Sequence, residues 1–170
     1  MTRDLWYILA IIIAVALIGP ALNFLLNRLG KWVEKRRGEK WIKEHGNLIE
    51  WRKVSGKKFE KIAAVIFRKC GYKAEVVGKS GDQGIDIELK KDGERYFAQC
   101  KNMEKVEPDK VRSFWGAIES YVRKGKIKKG FFVTTGEFSK SEEEFVKDKP
   151  IELINGLELE KMYKSVKGDL

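Results

Sequence analysis

The sequence predicts an α/β domain of about 112 residues behind one membrane-spanning helix, on three observations. Residues 5–27 (LWYILAIIIAVALIGPALNFLLN) run 23 positions without a charge. From Lys57 onward, segments with apolar residues at helical spacing alternate with short strand-type segments, in the order α-β-β-β-α-β-α-β-α. Asp92-Gly93 sits between two alternating runs, which is a two-residue hairpin signal. A chain of 170 residues has room for one ordinary domain and an appendage, not for two comfortable domains.

The uncharged run spans about 34 Å as a helix, enough for a hydrocarbon core of about 30 Å. Pro20 breaks a soluble helix but is tolerated, with a bend, in a membrane. Trp6 and Tyr7 suit an interfacial anchor. A cleaved signal peptide is the alternative, since 5–18 has the length of an apolar signal region, but Arg3 is offset by Asp4 and the strong positive cluster follows the run. Arg28, Lys31, Lys35, Arg36 and Arg37 then belong in the cytoplasm. The expectation is a single-pass protein of the cell membrane with its remaining domain facing the cytoplasm.

The net charge of +10, from 35 Lys/Arg and 25 Asp/Glu, is unevenly placed. Residues 31–58 hold ten basic and four acidic side chains, +6, whereas residues 59–170 hold only +3. Segment 28–56 is expected to be a basic juxtamembrane linker, with Trp32, Trp41 and Trp51 lying on anionic headgroups. A DNA-tracking arm is the sharper alternative. His45, the single histidine, reads as a plain linker residue, and its solitude excludes His-rich zinc sites and two-histidine catalysis. Cys70 and Cys100 sit in apolar runs and form no CxxC, which suits a reducing compartment.

The domain, 57–170, opens with a helix carrying Phe59, Ile62, Ala63, Ile66 and Cys70 and ending at Gly71. Residues 72–77 read as a strand and GKSGDQG as a loop. IDIELK (85–90) and RYFAQCK (95–101) alternate around the Asp92-Gly93 turn. Residues 108–124 form a helix with Val111, Phe114, Trp115, Ile118 and Val122 on one face. GFFVTT (130–135) is a continuous apolar run of buried-strand type. A short helix over 139–148, with Glu142, Glu143 and Glu144 as a solvated start, a strand over 151–154 and a helix over 157–166 complete the order.

With Asp92-Gly93 at the turn, hairpin partners have numbers summing to 185. Asp86 then faces Gln99, and Lys101 projects from the same face, while Ile85, Ile87 and Leu89 join Tyr96, Ala98 and Cys100 on the other. Asp86 and the Gln99 carbonyl can ligate a hard cation such as Mg²⁺ through oxygen, with Lys101 placed to stabilise charge on a phosphate. On spacing alone the stronger reading is an ordinary polar pair on a half-exposed sheet with a solvated lysine.

The run GDQGIDIELKKDGERYFAQCK, with Phe59-Glu60 in the opening helix, Gly71-Tyr72, the later GFFVTTGEFS and IELING, resembles the PD-(D/E)XK nuclease superfamily in its Mrr-like restriction endonuclease branch. The resemblance covers about 57–159 and implies a restriction-endonuclease-like core, a mixed central sheet flanked by helices. It implies Asp86 as main metal ligand, Gln99 as second, Lys101 as the catalytic lysine, Glu60 as a supporting acidic residue, and Mg²⁺ or Mn²⁺ as cofactor. The alternative for Glu60 is a carboxylate favoured by the helix dipole. Asp82 reads as a loop residue shaping the site. Lys79, Lys126, Lys128 and Lys129 are the candidate DNA-phosphate contacts, a solvated basic loop being the alternative for the last three, with Lys124 beside them. Together these imply a membrane-anchored, metal-dependent DNA endonuclease in restriction, defence or DNA processing, with a homodimer as the simplest way to cut both strands. The rivals are a nuclease-like fold kept as a tethered DNA-binding or docking module, and a membrane-interaction protein whose basic tract is the working part.

Overall fold

The structure is a computed structural model that describes residues 2–77 and 84–166, with the backbone alone at 2–5, 8–15 and 17. Eleven elements are formed by the described residues: α1 (Thr2–Glu44), α2 (Leu48–Arg52), α3 (Gly56–Lys69), β1 (Lys73–Val76), β2 (Ile87–Lys91), β3 (Glu94–Lys101), α4 (Pro108–Arg123), β4 (Lys129–Thr134), α5 (Lys140–Val146), β5 (Ile151–Ile154) and α6 (Gly156–Ser165). They divide into two units, residues 1–40 and 41–170.

In the first unit, Arg28 lies over the Phe24 ring, Arg36 lies over Trp32, and Lys35 pairs with Glu39. Ile18, Leu22, Phe24, Leu25, Leu26, Leu29 and Trp32 are exposed. Among the described residues no helix is long and apolar enough to cross a membrane. The expected span therefore has no support in the structure; it runs through 8–15 and 17, whose side chains lie outside the described residues.

The second unit is built on a five-stranded sheet in the order β1-β2-β3-β4-β5. β1, β2 and β3 pair antiparallel; β3, β4 and β5 pair parallel. The parallel crossovers run through α4 and α5, as parallel neighbours require. Asp92 and Gly93 take positive φ (52° and 80°), the geometry of a tight hairpin whose twist matches its strands. The predicted register holds for every pair from Ile87↔Ala98 to Lys91↔Glu94.

β3 and β4 have side chains buried on both faces, so the sheet separates two cores. On one face α3 and α6 cover Ile87, Leu89, Ala98, Cys100, Phe131 and Val133. On the other, α4 and α5 cover Phe97 and Phe132, with Val111, Phe114 and Ile118 supplied by α4. Ser139 and Asn155 close capping boxes at α5 and α6. Glu142, expected in a solvated start, is buried as the box partner of Ser139.

The expected linker 28–56 does not match the division of the chain. Residues 41–56 belong to the second unit, where Ile42 and Trp51 are fully buried. The Trp51 ring meets Tyr163 edge-on, its Nε1 donates to the His45 carbonyl, and the Tyr163 hydroxyl donates to the Ile42 carbonyl. His45 stacks on Trp41, and the Lys58 ammonium lies over the Trp41 ring. Of the three tryptophans expected on headgroups, only Trp32 is exposed; Trp51 is core and Trp41 packs against it, because α6 offers an apolar face that the local sequence does not reveal. Trp51→Ala is accordingly expected to lower the unfolding free energy of the second unit by about 3–5 kcal/mol, read by urea denaturation of the full chain.

Candidate active site

The candidate residues come from three elements that meet where β2 begins and β3 ends. The hairpin ladder stops at Ile87↔Ala98. Beyond it the register slips: the Asp86 N–H donates to the Ala98 carbonyl (2.9 Å), one residue short of Gln99, and the Asp86 carbonyl accepts from Val77 (2.9 Å). Ile85 consequently packs into the α4 core, while Ile87 lies in the α3 core. This corrects the expected direct Asp86–Gln99 pairing and the placement of Ile85. Cys100 lies two positions past the last paired residue, and its N–H donates to Asp86 Oδ2 (2.8 Å). Asp86 thus brackets Gln99 by binding the residue on either side of it.

Gln99 is 6% exposed, and its Oε1 is buried with no hydrogen-bond partner among the described residues. Its amide nitrogen lies against Gly84, where φ is +86° and an added Cβ would collide with Gln99 Nε2. Glycine is required there both for backbone conformation and for space. Leaving a buried carbonyl unpaired costs about 1–3 kcal/mol, so an acceptor held this way is suited to a cation, a water or a substrate donor. Lys101 ends β3 opposite Thr134, whose hydroxyl donates to the Lys101 carbonyl (2.8 Å).

Glu60 is half-buried on α3, which starts at Gly56 and has no acidic residue in its first turn. As the fifth residue of α3 it stands past that turn, so the helix dipole does not account for it. Burial pushes the Glu60 carboxyl above its ordinary value, the Asp86 charge pushes it further, and Lys101, Lys57 and Lys61 pull it back. The Asp86 carboxyl is likewise raised by burial, against the Cys100 N–H and Lys101. Burial, with Asp86 and Glu60 adding, raises the Cys100 thiol well above its usual value despite Lys101. Asp86, Glu60 and Lys101 therefore share one electrostatic neighbourhood. Two carboxylates held above their ordinary range by burial are groups that a divalent cation relieves. Among the described residues no three His, Cys, Asp or Glu side chains gather to hold a metal.

The candidate phosphate contacts do not join this cluster. β4 runs parallel to β3 with Lys129 opposite Tyr96 and Thr134 opposite Lys101, which puts Lys126, Lys128 and Lys129 at the other end of the sheet, about 16 Å along the strand. Lys129 pairs with Glu152 (2.5 Å) and lies over Phe131. Lys126 and Lys128 are exposed there, as is Lys124. Lys79 and Asp82 lie outside the described residues. Spacing alone could not have identified Asn102, Thr134 and Thr135, which line the end of β3 and β4; their alignment comes from the parallel pairing of strands more than thirty residues apart.

A family model described as a restriction endonuclease, Mrr_cat, matches residues 51–163. No curated protein matches the chain. Among solved structures, the crystal structure of a protein of unknown function, AF1548, superposes with a TM-score of 0.53 at 19% identity, covering 65% of this chain and 67% of that one. The MspJI restriction endonuclease, in complex with a 27-mer oligonucleotide, gives a TM-score of 0.47 at 22% identity, over 76% of this chain and 30% of that one.

The raised Asp86 carboxyl has a consequence for stability. A carboxyl raised by folding favours the fold below its unfolded value, and this contribution is lost as pH rises through the folded value. Asp86→Asn keeps an acceptor for the Cys100 N–H but carries no charge, so its Tm is expected to exceed the parent's at pH 7–8. The difference should vanish as the pH falls into the acid range, which thermal unfolding at several pH values checks.

Proposed function

Since the chain belongs to the Mrr_cat restriction endonuclease family, we propose that it is a metal-dependent endonuclease that hydrolyses phosphodiester bonds in DNA. The observation that carries this reading is the buried, unpartnered Gln99 Oε1 bracketed by Asp86 within the matched segment. Asp86, Gln99 and Glu60 would hold the ion, Mg²⁺ or Mn²⁺, as oxygen donors suited to a hard cation. A bound cation supplies positive charge to the scissile phosphate and lowers the pKa of an attacking water. Lys101 stabilises the charge that grows on the phosphate, and Gly84 holds the Gln99 amide in place. Contacts to phosphates beside the scissile bond are best supplied by Lys57 and Lys61, the cations that with Lys101 lower the Glu60 carboxyl. Lys126, Lys128 and Lys129 are too distant to touch the same phosphate, though they can touch DNA elsewhere.

The full chain incubated with supercoiled plasmid and Mg²⁺ or Mn²⁺ is expected to nick it, with EDTA abolishing the reaction. Asp86→Ala and Lys101→Ala are each expected to reduce the rate by at least about 10²-fold. Binding without cleavage, unchanged in either variant, would instead support a docking or DNA-binding module.

We also infer a single-pass anchor at 5–27 that leaves the nuclease unit in the cytoplasm. The uncharged run, the basic cluster behind it and the exposed apolar side chains between Ile18 and Trp32 support this. Deleting residues 1–30 is expected to move the protein from the membrane pellet to the supernatant on fractionation; retention in the pellet would show that residues 31–58 or a partner suffice to hold it there.

A further inference from the structure

The end of β3 carries a polar clasp that neither metal binding nor the cores explain. Asn102 directly follows Lys101. Its Nδ2 donates to the Val54 carbonyl (2.6 Å) and, over longer distances, to those of Trp51 (3.3 Å) and Arg52 (3.4 Å). An amide nitrogen has two hydrogens, so Val54 takes one and the other is shared. The Asn102 Oδ1 accepts from the Thr135 hydroxyl (2.6 Å), which fixes which way the amide points. Arg52 Nε donates to the Thr135 carbonyl (3.1 Å) and closes the ring. One side chain therefore ties together the end of β3, the end of β4 and the corner between α2 and α3. Ser55 caps α3 immediately after that corner, and Glu60 follows five residues later.

We propose that Asn102 is a positioning residue: it fixes the start of α3 against the end of β3 and so sets Glu60 relative to Lys101 and Asp86. The inference rests on the nuclease reading above and adds to it a residue that touches neither metal nor substrate. Apolar burial is non-directional, so by itself it sets the place of α3 along its axis less sharply than a directional contact does. A hydrogen-bonded amide that satisfies backbone carbonyls at one defined place supplies that contact. An aspartate here would oppose its carboxylate to three carbonyls, and an alanine would leave them to water.

The test uses the full chain and two readouts of Mn²⁺. Electron paramagnetic resonance of free Mn²⁺ titrated with protein alone reports affinity, and plasmid nicking reports the Mn²⁺ midpoint. Asn102→Ala is expected to weaken both about 10-fold, in the range seen when residues supporting metal ligands are removed. Ile118→Val, in the α4 core away from the clasp, controls for lost stability: it should lower Tm and leave Mn²⁺ affinity as in the parent. If Asn102→Ala does not fold, Thr135→Val takes its place, since it removes only the hydroxyl that orients the amide, and a smaller shift in the same direction supports the inference. Parental Mn²⁺ affinity in the folded variant tested overturns it. A parent chain that binds no Mn²⁺ overturns the nuclease reading as well. A parent that nicks through Asp86, beside an Asn102 variant that behaves identically, overturns this inference alone.

Discussion

β3 is the member against which the rest of the second unit is registered. It is the middle strand of five, antiparallel to β2 and parallel to β4, with side chains buried on both faces. A strand in that position has no water to fall back on, so each of its N–H and C=O groups needs a partner. Near its end β2 has already departed, and the N–H of Cys100 is taken by the Asp86 carboxylate instead of a strand carbonyl. Satisfying the sheet thus draws a carboxylate to the place where Gln99 and Lys101 emerge. The candidate site is where the pairing of the sheet runs out.

The same place gathers groups that the fold does not favour. Asp86 and Glu60 are raised by burial, and Gln99 Oε1 has no partner among the described residues. Each lowers stability, and sites with function to perform are where such costs concentrate. They are tolerated because the surroundings are over-determined. Trp51 and Tyr163 lock the α2 and α6 side, the α4 core backs β3 on the other face, and the Asn102 clasp joins α3 to both strand ends.

Much of this was legible from local pattern. The Asp92-Gly93 turn and the alternation around it predict the register of every pair from 87↔98 to 91↔94, and the helical spacing in 59–70 and 108–124 predicts α3 and α4. Extrapolation failed one pair further on, at Asp86, because a slip in hydrogen bonding changes nothing in residue spacing. Trp51 looked interfacial among basic neighbours, since what buries it is Tyr163, 112 residues later in the chain. The lysines after α4 were legible as charge but not as location: which end of β4 they occupy relative to Lys101 is set by the parallel register of β3 and β4.

The sequence by itself determined the elements from α3 onward, their order and the hairpin, and its likeness to a nuclease family, which the family match then established, singled out Asp86, Gln99, Lys101 and Glu60 as candidates. These are properties of short windows, where periods of 2 and 3.6 residues and turn chemistry act within a few bonds. Tertiary structure alone decided that Asp86 brackets Gln99 rather than facing it, that residues 41–56 belong to the folded unit, that the clustered lysines lie at the far end of the sheet, and that Asn102 binds the corner before α3. Those outcomes depend on strands and helices distant in sequence choosing one another. That choice is made by the demand for paired backbone groups and filled cores across the whole unit, which no short window contains.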